Sequence, residues 1–188
     1  SYTYTLERTR TYLGADDTVL ELGAGTGSTA LELAGSVGHI TATDISPKMT
    51  ELAQDKAREA GILNADFIAA EATVPTLEGP YDAVLAHNLL HLVEDLPAVL
   101  NRVHQVTRPG GVFISKTFCK PAGFGSPMLW AIRLALPVMQ LFGKAPFVAM
   151  LTIRELEQAI EAAGFDIVET GNYPKGELRR YVVARKRV

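Results

Sequence analysis

A chain of 188 residues, 47% of them hydrophobic, is long enough for one domain with a sizeable core and too apolar for wholesale disorder. A formal net charge of -3 argues against general affinity for nucleic-acid backbones. The single cysteine, Cys119, excludes an internal disulfide framework and leads us to expect a reducing, cytoplasmic setting. No apolar run reaches the roughly 20 residues needed to span a bilayer. The N-terminus shows no charged-then-apolar leader. The chain begins at Ser1 rather than Met, so a preceding segment is expected.

Residues 2–13 are expected to form a short helix with Tyr2, Leu6, Thr9 and Leu13 on one side. The run Val19-Leu20-Glu21-Leu22 then reads as a buried strand. It ends in Gly23-Ala24-Gly25-Thr26-Gly27, where alternate glycines let the backbone take positive φ and let a ligand approach without meeting a Cβ. A helix is expected over 26–38, with Ala30, Leu31, Ala34 and Val37 inward. Strand, glycine turn and helix form the entry unit of a nucleotide-binding α/β domain. Ile40-Thr41-Ala42-Thr43 is the next strand, and Asp44 closes it. Ser46 suits an N-cap and Pro47 the first helical position. Met49, Leu52, Ala53, Ala57 and Ala60 follow at helical spacing, and Gly61 ends that helix.

A third strand is expected over 65–70, followed by Glu71 and Ala72, and a fourth over 81–86, followed by His87 and His91. The helix over 94–107 places Leu96, Val99, Leu100, Val103 and Val106 inward. Arg108-Pro109-Gly110-Gly111 reads as a turn into a fifth strand over 112–116. Residues 118–150 read as an insertion with a dense apolar run over 128–142, interrupted only by Arg133 and Gln140 and divided by Pro137. Thr152-Ile153-Arg154-Glu155 is a capping box that opens a helix ending at Gly164. Strands over 165–170 and 181–185 close the chain. Their short connection requires an antiparallel pair. The basic end, Arg179, Arg180, Arg185, Lys186 and Arg187, reads as a solvated strand edge.

The stretch Glu21-Leu22-Gly23-Ala24-Gly25-Thr26-Gly27 resembles motif I of the class I S-adenosylmethionine-dependent methyltransferases, acid-x-Gly-x-Gly-x-Gly. A dehydrogenase fingerprint, Gly-x-Gly-x-x-Gly, would want glycine where Ser28 stands. The resemblance covers nearly the whole chain as a single domain. It implies a doubly wound, Rossmann-like α/β fold with strand order 3-2-1-4-5-7-6 and strand seven antiparallel. It also implies S-adenosylmethionine as cofactor and S-adenosylhomocysteine as product.

By the same resemblance, the cofactor is expected to lie on Glu21, Gly23, Ala24, Gly25, Gly27, Asp44, Ile45, Met49, Glu71, Ala72 and His87. Asp44 would take the ribose hydroxyls and Glu71 the adenine amino group. Ile45 and Met49 would pack on adenine, although Met49 at helical spacing is equally a core residue. Glu21 would order the glycine loop and reach the methionine amino group through water, its carboxylate supported by loop N–H groups. Asp44 alternatively caps a helix, and Glu71 alternatively is a solvated acid.

His87 and His91 are the catalytic candidates, since an oxygen acceptor wants a general base and a histidine with pKa near 6.5 suits. Their spacing of four also fits metal ligands, but no further Cys, His or acid cluster completes a site, so no metal is expected. The expected activity is methyl transfer to a small, apolar or lipid-like acceptor, through oxygen, nitrogen or carbon. The alternatives are a non-catalytic S-adenosylmethionine-binding or scaffold module and a nicotinamide-dependent oxidoreductase. The insertion 118–150 is expected to lid the cleft, with core burial, a homodimer surface or peripheral membrane contact as the other readings of its run 128–142.

Overall fold

The computed structural model describes residues 2–73, 77–120 and 147–188. The apolar run 128–142 lies outside them, and with it the lid, dimer and membrane readings. No helix among the described residues is long and apolar enough to cross a membrane.

Seven strands form one sheet in the order β3-β2-β1-β4-β5-β7-β6. They are β1 (Thr18–Leu22), β2 (His39–Asp44), β3 (Ala65–Ala69), β4 (Tyr81–His87), β5 (Thr107–Phe118), β6 (Phe165–Asn172) and β7 (Arg179–Lys186). β1 lies parallel to β2 and to β4, with Val19 opposite Ile40 on one side and Ala83 on the other. β7 runs antiparallel to both β5 and β6. The expected topology is therefore the observed one.

The central strands are buried on both faces, so their apolar residues sort by period two. Leu20, Leu22, Val84, Ala86 and Phe113 face one core with α4 (Leu96–Val106) and α5 (Ile153–Ala162). Val19, Ala83, Leu85, Val112 and Ile114 face the other with α1 (Tyr2–Arg10), α2 (Ser28–Leu33) and α3 (Pro47–Glu59). α4 buries the five residues its spacing predicts. α5 opens on a complete capping box between Thr152 and Glu155.

Four local expectations are corrected. α1 stops at Arg10, and Tyr2 is half exposed while Thr5, Leu6 and Thr9 are buried. The helix after the glycine turn is α2 followed by a 3-10 turn at Ala34–Ser36, with Leu33 fully buried and Leu31 packed against the same core while partly exposed. The Arg108–Gly111 segment belongs to the β5 strand, whose ladder starts at Thr107 opposite Tyr81 and shifts register before Val112. β7 is an interior strand, so its basic residues do not guard an edge. Lys186 Nζ donates to the carbonyls of His104 (2.6 Å) and Thr107 (2.7 Å), and Arg180 pairs with Glu157 at 2.7 Å.

α1 crosses the carboxyl end of the sheet. Arg8 grips Glu169 of β6 with Nε and Nη2 at 2.7 and 2.6 Å, and the Tyr12 hydroxyl donates to the same carboxylate. Such a two-pronged guanidinium–carboxylate pair fixes orientation as well as distance.

Candidate functional site

In a doubly wound sheet a ligand sits beyond the strand ends where the order reverses. Here that place lies between β1 and β4, and the glycine turn closes it. The loop is tied to β2 twice. Ala24 N–H donates to the Thr43 carbonyl at 2.8 Å, and Gly25 N–H donates to Asp44 Oδ2 at 2.8 Å. The second Asp44 oxygen accepts from Ser46 N–H at 2.9 Å. Asp44 therefore orders the glycine loop, a task the sequence assigned to Glu21.

The alternate glycines serve different ends. Gly25 has φ +54, and a Cβ there would meet no atom of the described residues within 4 Å, which leaves its backbone open to a ligand on that side. Gly27 has φ +75 and is buried, and a Cβ there would fall 2.6 Å from Phe67 Cε1 and 2.8 Å from Ala53 Cβ. It fits the turn to the sheet and lines neither cavity described next.

Two cavities meet at the strand ends, sharing Gly23 and Asn88 as walls. The first, about 420 Å³, is walled by Glu21, Ala24, Gly25, His87, Lys116 and Arg179, with Tyr2, Thr5 and Leu6 of α1 above. The second, about 650 Å³, is walled by Asp44, Ile45, Glu71 and Ala72 and by apolar Leu89, Leu92 and Val93. Nine of the twelve site residues named from sequence thus line this crevice: Glu21, Gly23, Ala24, Gly25, Asp44, Ile45, Glu71, Ala72 and His87.

Gly27, Met49 and His91 do not. Met49 is 38% exposed on α3, so it belongs to neither the crevice nor the core. His91 sits in the 3-10 turn Leu90–Leu92 with its ring beside Phe118, and its backbone carbonyl accepts from Ala149 N–H at 2.7 Å.

The polar groups of the first cavity are poised for a ligand. Glu21 is 2% exposed, and burial pushes its carboxyl up to about 7. The Thr29 hydroxyl and Ala30 N–H hydrogen-bond to it, yet its Oε2 has no partner among the described residues. Its support thus comes from the start of α2 rather than from the loop. An unpartnered buried carboxylate oxygen is costly, which points to a group that completes it.

His87 Nε2 is likewise buried without a partner among the described residues, and burial together with the Lys116 charge holds the ring down to about 4. The ring is neutral at physiological pH and a weak base, not the base with pKa near 6.5 expected from sequence. His87→Asn should therefore lower turnover about tenfold through lost positioning, leave cofactor affinity within twofold, and give a rate ratio to wild type that is constant from pH 5.5 to 8. A ratio that grows through pH 6–7 would make His87 a titrating base.

Asn88, Lys116, Arg179 and the α1 residues were missed in the sequence. Asn88 carries φ 58, a left-handed conformation uncommon outside glycine, and its N–H donates to the Lys116 carbonyl at 2.6 Å. Asparagine directly after a strand end was a readable signal, since it tolerates that conformation. So was a lysine inside the apolar run Val112-Phe113-Ile114-Ser115-Lys116.

Residues 19–111 match a family model described as a methyltransferase domain. The arginine-hydroxylase NDUFAF5, mitochondrial, of Mus musculus is 32% identical over 166 residues, which cover 82% of this chain and 46% of that protein. The tRNA 5-carboxymethoxyuridine methyltransferase of Escherichia coli K12 is 37% identical over 97 residues, 50% of this chain and 37% of that one. The chain thus spans less than half the length of these two relatives. A solved S-adenosylmethionine-dependent methyltransferase from Methanosarcina mazei superposes with TM-score 0.79 at 21% identity, over 96% of this chain and 97% of that one. That superposition shows a shared fold.

Proposed function

The chain belongs to the class I, Rossmann-like family of S-adenosylmethionine-dependent methyltransferases, and on that premise we propose that it transfers a methyl group from this cofactor to a small acceptor. The carrying observation is the crevice itself. An open glycine backbone and the buried acid Glu21 of β1 line one cavity, and Asp44 at the end of β2 lines the adjoining one. These residues fit the cofactor. Asp44, Ile45, Glu71 and Ala72 would hold its adenosine half in the second cavity. Glu21, Gly23, Ala24 and Gly25 would hold its methionine half in the first, under Tyr2 and Thr5.

Bound there, the cofactor supplies an electrophilic methyl group on a positively charged sulfur. The protein's work is then alignment and exclusion of water. α1 walls one side of the first cavity with Tyr2, Thr5 and Leu6, and the Arg8–Glu169 pair ties the helix to β6. Asn88 stands where the two cavities meet and His87 beside it lines the first; they would orient the acceptor. The apolar composition of 128–142 leads us to propose an acceptor with an apolar body.

The mouse relative is named for arginine hydroxylation, and a binding module without turnover is a second possible use of such a crevice. One assay separates methyl transfer from both. The chain, S-adenosylmethionine and a pool of small metabolites should yield S-adenosylhomocysteine. Binding of the cofactor with no such product would leave the hydroxylation and module readings. Asp44→Ala should weaken cofactor binding by roughly 1–3 kcal/mol, since the hydrogen bonds of a charged acceptor are lost together with the anchor of the Gly25 amide. Unchanged affinity in a calorimetric titration would remove Asp44 from the site.

A further inference from the structure

α1 holds itself together poorly. It is nine residues long, and its three threonines and two tyrosines are weak helix formers. No acid stands in its first turn. A helix this short is marginal in water by itself. Its packing adds little, because Leu6 is its one buried apolar residue, and Tyr2 and Tyr4 are half exposed. Yet Tyr2, Thr5 and Leu6 form part of the wall of the first cavity.

What seats the helix is chiefly one carboxylate. Glu169 of β6 accepts from Arg8 Nε and Nη2 at 2.7 and 2.6 Å and from the hydroxyl of Tyr12, just past the helix. The Tyr173 hydroxyl donates to it at 3.4 Å, and the Tyr173 ring lies 4.9 Å from that of Tyr4. Glu169 faces α1 only because β6 carries a bulge. Ile167 pairs with Ala184 and Glu169 with Val183, so Val168 is an extra residue in the ladder. Ile167 packs on the core of α4 and α5, and without Val168 the side chain of Glu169 would share that face. The bulge turns it to the opposite face, where Leu6 of α1 packs. The Arg8 side chain is 42% exposed, so the pair can part without stranding a buried cation.

Resting on the methyl-transfer reading above, we infer that α1 is a releasable strap on the first cavity, latched by Glu169, whose release sets how fast S-adenosylhomocysteine leaves. A ligand in that cavity touches the seated strap, so binding favours the latched state and the latched state favours binding. A chain that spends less time latched offers less of its wall to the ligand and holds it more loosely. Release of the strap opens one element while the sheet beneath it stays folded, as the mobile lids of enzymes do.

The test uses the whole chain, S-adenosylhomocysteine and three variants. Hydrogen exchange is read at the amides of Leu6 to Arg10, which close the helix's own bonds. In the ligand-free protein these should be at least a hundredfold less protected than the amides of α4 and β4, and S-adenosylhomocysteine should raise their protection at least tenfold. Arg8→Met should lower the protection of α1 at least tenfold and speed dissociation of S-adenosylhomocysteine, read by stopped-flow displacement, at least fivefold. Arg8→Lys keeps the charge without the fork and should fall between. Arg187→Met breaks a 2.7 Å pair with Asp166 at the other end of β6 and should change neither reading. Protection of α1 equal to that of α4 and β4 overturns the inference, since the helix would then open only with the whole fold. So does an Arg8→Met variant with looser α1 and unchanged dissociation. A wild-type chain that binds no S-adenosylhomocysteine removes the methyl-transfer reading itself, and the inference falls with it; failure of the latch alone leaves wild-type binding in place.

Discussion

Glu21→Gln should make the ligand-free protein more stable at pH 8 and a poorer binder of S-adenosylmethionine. The Glu21 carboxyl titrates near 7 in the fold because burial penalises its charge, whereas an unfolded glutamate titrates near 4.5. Between those values the native state keeps a proton that the unfolded state has lost. Stability therefore falls as pH rises from about 4.5 to about 7 and is flat above. The whole penalty is about 3 kcal/mol, from the linkage between a pKa shift and folding. Glutamine keeps the shape and carries no charge, so it removes that penalty.

The same charge is what would draw the ammonium of the cofactor, and its loss should weaken binding by roughly 2 kcal/mol, the strength of a hydrogen bond to a charged group. Wild-type affinity should rise with pH through 7, and the variant's should not. Calorimetric melting at pH 5 and pH 8, with cofactor titrations at both, checks each limb. A glutamine variant that melts lower than wild type at pH 8 contradicts the account.

Gly27→Ala should cost more stability than any other alanine substitution in the glycine turn, about 2–5 kcal/mol. Part of this is the left-handed backbone at φ +75, which costs an L-residue roughly 1–2 kcal/mol. The rest is crowding, because the new methyl would stand 2.6 Å from Phe67 Cε1 and 2.8 Å from Ala53 Cβ. Forcing a methyl into a packed site costs typically about 1–3 kcal/mol. Gly25→Ala pays only the backbone part, since its methyl enters open space. That space is the cavity, so Gly25→Ala should lose cofactor affinity while staying folded. Urea midpoints rank the two. A Gly27→Ala midpoint at or above that of Gly25→Ala would mean that the turn is not wedged against Phe67 and Ala53.

Much of this was legible because it rests on short-range physics. The α4 stripe and the alternating β1 and β4 faces follow from helical and strand periods alone. The glycine turn with Asp44 was legible because acid and loop lie at successive strand ends, and the structure joins them by one hydrogen bond. What was missed depends on which strand lies beside which. Arg179 looked like part of a solvated edge, yet β7 lies inside the sheet and brings it to the first cavity.

The partner of Lys116 was equally hidden, because Glu177 lies 61 residues away and meets it only through the β5–β7 pairing. Met49 lies outside both cavities for a local reason. Helical spacing places it on a face of α3, but only Thr50, Ala53 and Ala57 of that helix are buried. His91 lies in the 3-10 turn Leu90–Leu92 and lines neither cavity, whereas His87 lines the first.

The central claim is that the β1–β4 crevice takes S-adenosylmethionine. Calorimetric titration of the full chain at pH 8 with S-adenosylmethionine, S-adenosylhomocysteine and NAD tests it most directly. The two adenosyl ligands should each saturate one site per chain and compete with each other, and NAD should give no saturable heat. Absence of binding by both adenosyl ligands, or tighter binding by NAD, would contradict it.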